Sequence, residues 1–139
     1  MTLTLERAQE LLDEWFAPWV KELNLQVERI EPGAVTVRMP FADRLARGFG
    51  TVSGQAIMAA ADTAMVLATV STLDDEIEVT TVSQSISFLR PIADADTIIE
   101  IAIVKSGRTL AFANAVVYAD GSGDAPAATA SSTYAILRR

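Results

Sequence analysis

Residues 53–73 decide most of what this chain can become. They read Ser-Gly-Gln-Ala-Ile-Met-Ala-Ala-Ala-Asp-Thr-Ala-Met-Val-Leu-Ala-Thr-Val-Ser-Thr-Leu. Alanine, methionine and leucine favour helix, and the run is too long for an ordinary strand. Apolar side chains fall on every side of that helix, so it must be enclosed by lipid or by the rest of the protein. A lone aspartate, Asp62, sits at its middle, where a bilayer makes a charge expensive. The flanking segments are strand-like, and a single membrane span would leave them without a core. The expectation is a soluble helix buried in a sheet, with no membrane partner.

The strand signals are clear. Two short alternating runs, 26–30 and 34–39, flank Glu31-Pro32-Gly33 and predict a hairpin. After the acidic break Asp74-Asp75-Glu76, segments 78–89, 97–105, 110–118 and 127–137 are β-branched and alternating. Their short connections predict antiparallel meander pairing. Residues 41–50, ending Gly48-Phe49-Gly50, predict a loop with one helical turn. Ahead of these, Leu5, Ala8, Leu11, Leu12, Trp15, Trp19 and Leu23 recur at spacings of three and four. That periodicity predicts an amphipathic helix, interrupted at Pro18, with the two tryptophans as packing anchors. One sheet wrapped round one central helix buries that helix most simply, an α+β architecture. With 139 residues, half of them apolar, a single domain is expected, with 1–23 as a helical segment and 24–139 as its core. Charges at Glu6, Arg7 and Glu10 rule out a secretory h-region there, so the expected compartment is cytoplasmic.

Two absences narrow the chemistry. The chain has neither cysteine nor histidine. Thiol nucleophiles, thiolate metal sites, Ser-His-Asp triads and imidazole acid–base catalysis are all excluded. The net charge of −7 is the wrong sign for tracking phosphates, so nucleic acid is not an expected partner. Catalysis is left to carboxylates, hydroxyls, amides, backbone N–H groups and the few cations.

Asp62 is the first candidate, because an ionised carboxylate among alanines needs a partner or a job. Ser53-Gly54-Gln55 opens the same helix. Serine is a good cap, and glycine leaves N–H groups accessible at the positive end of the dipole, where a carbonyl oxygen can be polarised. Gly54 and Asp62 are eight residues apart, roughly 12 Å along the axis. One helix cannot bring both to one atom, but two antiparallel copies can. On the strand 78–89, alternation places Thr81, Ser83, Ser85 and Ser87 on one face and Val82, Ile86 and Phe88 on the other. Such a hydroxyl row serves cross-strand pairing or orients a water or carboxylate. Arg90, Lys105 and Arg108 sit near strand ends, as solvated charges or as phosphate partners.

These residues resemble the hot-dog fold, and within it the acyl-CoA thioesterases similar to the phenylacetate-degradation thioesterase. In that group the central helix opens His-Gly-Gly, with a catalytic Asp or Glu following. Here Ser53-Gly54-Gln55 is followed, after 56–61, by Asp62-Thr63-Ala64. Residues 79–91, ending Phe88-Leu89-Arg90-Pro91, resemble the family's next strand, and Ser106-Gly107-Arg108 its following turn. The resemblance spans residues 24–137. It implies that Asp62 activates water or attacks the thioester, that the Gly54 N–H polarises the carbonyl, and that Thr81 orients the nucleophile. It also implies a homodimer or homotetramer whose sites combine two subunits. Two positions depart from the family: Ser53 replaces the usual histidine, and Arg47 falls where an asparagine is common. Arg47, Ser53, Gln55, Arg90, Lys105 and Arg108 are the expected substrate contacts. The implied activity is hydrolysis of an acyl-CoA or related acyl thioester without a metal or redox cofactor. A non-catalytic acyl-thioester-binding protein is the alternative, whereas the hot-dog hydratases and dehydratases depend on histidine.

Overall fold

In the computed structural model, which describes residues 2–138, the N-terminal helix breaks ahead of its proline. Thr4 caps α1 (Leu5–Glu14) by accepting from the Arg7 N–H, and Ala8, Leu11 and Leu12 are buried. α2 (Pro18–Lys21) is one turn with proline at its first position, where a missing N–H is harmless. The tryptophans are not anchors. Trp15 is 37% exposed and Trp19 57%, because α1 ends at Glu14 and α2 buries no residue.

β1 (Gln26–Glu31) and β2 (Ala34–Met39) form the expected hairpin, with Gly33 in the left-handed region at its turn. β3 (Ala46–Arg47) and β4 (Thr51–Val52) make a short ribbon around residues 48–50. Phe49 there has φ +68° and is almost wholly exposed. α3 (Gly54–Ser71) follows, then β5 (Val79–Phe88), β6 (Thr97–Ser106), β7 (Leu110–Ala119) and β8 (Ala128–Ile136).

The antiparallel sheet runs β1-β2-β6-β7-β8-β5. The meander holds from β6 to β8 but not before it. β5 pairs with β8 at the edge, because β2 occupies the other side of β6, in a register with Val37 opposite Ile99. α3 packs against all six strands, the hot-dog arrangement. Ala60, Ala61, Ala64 and Ala68 on the helix and Ala111, Ala113 and Ala128 on the sheet are all buried. Small side chains in both layers bring the backbones close. Buried hydroxyls on α3 bond back along the helix, Thr63 to the Ala59 carbonyl and Thr69 to that of Met65, each at 2.8 Å. By length and hydropathy α3 could cross a bilayer, yet 67% of it is buried within the fold.

The two sheet edges are unlike. At β1 the Gln9 side chain donates to the Leu25 carbonyl and accepts from the Val27 N–H, occupying the start of that edge from α1. β1 also bulges between Val27 and Arg29 and carries Glu28, Arg29 and Glu31. β5 is ten residues long and carries no charge. Near the other end of β2, Arg38 binds Glu28, Asp96 and Asp120. The Phe41 N–H donates to Asp96 at 2.7 Å. That bond, aided by Arg38, holds the Asp96 carboxyl below the usual range.

Candidate active site

Asp62 sits at the middle of α3, and two hydroxyls from the sheet reach it. Thr81 Oγ1 on β5 donates to Asp62 Oδ1 at 2.8 Å, and the Tyr134 phenol on β8 donates to the same oxygen at 2.7 Å. Thr81 and Tyr134 are register partners across the β5–β8 ladder, so one rung delivers both donors. No donor meets Oδ2 among the described residues. Tyr134 is fully buried. Desolvation, and then the Asp62 charge, push its phenol well above the usual tyrosine range, so it remains a donor.

The hydroxyl row read from alternation is split. The register slips between Thr81 and Ser83, which leaves Val82 as an extra residue, 59% exposed. A bulge reverses the facing of everything beyond it. Thr81 therefore turns toward α3, whereas Ser83, Ser85 and Ser87 turn to the outer face. Gln84 and Phe88 take the inner positions instead. Gln84 donates to the Met58 carbonyl, and Phe88 covers Gly54.

The opening of α3 forms a second locus. Ser53 caps it by accepting from the Ala56 N–H at 3.2 Å, and its carbonyl accepts from Ile57. The N–H groups of Gly54 and Gln55 are the unsatisfied donors of a helix start. A Cβ on Gly54 would lie 3.2 Å from the Phe88 ring, so the glycine permits that close approach. Gln55 is exposed. Gly54, Arg47 and Arg90 line one cavity of about 410 Å³, where Arg90 also donates to the Pro126 carbonyl. Asp62 and Thr81 line a different one, of about 610 Å³, with Trp15, Phe16, Val66 and Val79. One chain thus holds Asp62 and Gly54 in separate cavities.

The remaining cations do not join them. Lys105 stands opposite Phe112, which pairs with Thr133, itself opposite Ser83. Ser83 is five residues from Phe88, about 17 Å along the strand. Arg108 lies in the β6–β7 turn, where its carbonyl accepts from Arg138. Within one chain, Lys105 and Arg108 are therefore far along the sheet from Arg90. Among the described residues, no three acidic side chains are grouped to hold a metal ion.

The thioesterase superfamily profile matches residues 49–125, more than half of the chain. A Thermoplasma acidophilum protein that carries an esterase name is 30% identical over 105 residues, covering 76% of this chain and 78% of that one. The chain belongs to the thioesterase superfamily. A crystal structure from Silicibacter sp. TM1040, of a protein bearing a thioesterase name, superposes with a TM-score of 0.87 at 27% identity. It covers 98% of this chain and 93% of its own. A thioesterase family protein from Silicibacter pomeroyi gives 0.85, also at 27%, covering 95% and 96%.

In this thioesterase superfamily chain, Asp62, Gly54 and Thr81 lie within the matched segment, and Tyr134 lies beyond it. Tyr134 was missed in the sequence reading, although a signal existed. It shares the inward-facing set of β8 with Ala128, Ala130 and Ile136, and a phenol on a buried face needs an acceptor. Asp62 was the acceptor still lacking donors.

Proposed function

We propose that this chain hydrolyses an acyl-CoA or related acyl thioester, in the manner of the phenylacetate-degradation group. The observation that carries the reading is the Asp62 carboxylate, with Oδ1 occupied by Thr81 and Tyr134 and Oδ2 open, at the wall of a cavity. Two fixed donors stop the carboxylate from rotating and aim its second oxygen. As general base, Oδ2 takes a proton from water while the hydroxide adds to the thioester carbonyl. The oxyanion rests at the Gly54 N–H, and the dipole of α3 favours its charge. Collapse expels the thiolate, which recovers the proton from Asp62. As nucleophile, Oδ2 would instead form a mixed anhydride that water then cleaves.

The separation of Asp62 from Gly54 supports a site built from two copies, with Gly54 supplied by the partner subunit. The uncharged edge of β5 is the proposed joint. Arg47 and Arg90 beside Gly54 suit the phosphate-bearing end of the thiol carrier.

Asp62→Asn tests the assignment. It keeps size and both accepted hydrogen bonds while removing the base, so kcat in a thiol-release assay should fall by about 10² or more. Wild-type turnover in the folded variant would remove Asp62 from the chemistry. Saturable acyl-CoA binding without thiol release from the wild-type protein would favour the binding-protein alternative.

A further inference from the structure

We infer that the cavity beside Asp62 selects acyl groups by charge, accepting uncharged apolar or aromatic acyl chains and rejecting those that end in a carboxylate. The inference rests on the reading of Asp62 as the hydrolytic group, and it concerns what lies just beyond that group.

Trp15 and Phe16 approach the cavity from the segment after α1, and Val66 and Val79 line it from the helix and the sheet. At 37% exposed, Trp15 leaves much of its ring uncovered, although α1, which ends just before it, is docked through Ala8, Leu11 and Leu12. An aromatic and aliphatic wall of this kind gains by covering apolar acyl surface.

Glu14 and Glu76 line the same cavity, and the cation paired with them is Arg7. Arg7 is saturated. Its Nε donates to Glu76, one Nη to Glu10 and Glu14, and the other Nη to Glu14 and Glu76. A guanidinium has five N–H donors, and these bonds engage all of them. Among the described residues, no basic side chain lines this cavity, and Asp62 adds its own charge. A substrate carboxylate placed there would meet Asp62 and the glutamates Glu14, Glu76 and Glu78, and like charges brought together disfavour binding. The cations near the other cavity, Arg47 and Arg90, line the Gly54 end instead. The two cavities therefore differ in sign, which also orients the thioester, with the acyl group toward Asp62 and the anionic carrier toward Gly54.

The test compares a matched pair, hexanoyl-CoA and adipoyl-CoA, which share a six-carbon acyl chain and differ in a terminal carboxylate. Wild-type kcat/KM should favour hexanoyl-CoA by at least about tenfold, and Glu14→Gln, which lowers the charge and frees Arg7 donors, should shrink that ratio at least about threefold. Equal use of both thioesters by the wild-type protein, or an unchanged ratio in folded Glu14→Gln, overturns the inference. Calorimetric binding of the same pair to Asp62→Asn separates this result from the hydrolytic reading. Selective binding of hexanoyl-CoA without wild-type turnover would defeat the hydrolase and leave the charge selection standing. Binding of neither thioester, or equal binding of both, would defeat the selection.

Discussion

At the scale of single residues, the decisive pairing is two hydroxyls on one carboxylate oxygen. Because Thr81 and Tyr134 share Oδ1, losing either leaves the other in place. Tyr134→Phe and Thr81→Ala should each lower kcat by about tenfold with KM little changed. Combining them should cost a different factor from the product of the two, since neighbours on one acceptor couple. A strictly multiplicative cycle would argue that they do not act together on Asp62. Burial and the neighbouring charge raise the folded phenol pKa, so Tyr134 stays neutral as pH rises through the ordinary tyrosine range. From about pH 7 to pH 10, kcat/KM should show no loss that Tyr134→Phe removes. Asp62 was legible because its helix offers a charge nothing to pair with. Tyr134 was not, because a contact across 72 positions belongs to the sheet's register rather than to any local pattern.

At the scale of elements, periodicity located β1, β2, α3 and β5 to β8 to within two residues, because each has a buried face and a clear boundary, but it gave neither β3 nor β4, which are too short to alternate. It failed where an element departs from ideal geometry. The bulge at Val82 undid the alternation of β5, so a row of four hydroxyls became one inward threonine and three outward serines. The order of strands was equally hidden, since which edge of β6 stays free depends on where the β1–β2 hairpin docks. One junction between elements makes a stability claim. Asp96 ties the end of β2 to the start of β6 through the Phe41 N–H and Arg38, and its folded pKa is depressed. Its stabilising effect is therefore present above the unfolded value of about 3.9 and is lost as pH falls through the folded value. Urea midpoints measured from about pH 5 down to pH 2 should decline less steeply in Asp96→Asn than in the wild type. Parallel declines would show that the junction does not contribute.

At the scale of the whole molecule, the proposed two-copy site would make activity depend on association. Light scattering at micromolar concentration should show at least a dimer. Ser85→Lys, which places a charge within the neutral β5 edge, should shift the protein toward monomer and lower kcat together. A fully active wild-type monomer would end the shared-site proposal. The unlike edges of the sheet carry this further. In the proposed dimer, joining two β5 strands would use up the uncharged edge of each six-stranded sheet. What would then face outward at both ends is β1, blunted by Gln9, bent by its bulge and studded with charge. Such a sheet can lengthen once and then has nowhere to go. Molecular mass should level off as concentration climbs, and this β-rich chain, crowded or aged, should make a poor seed for fibres.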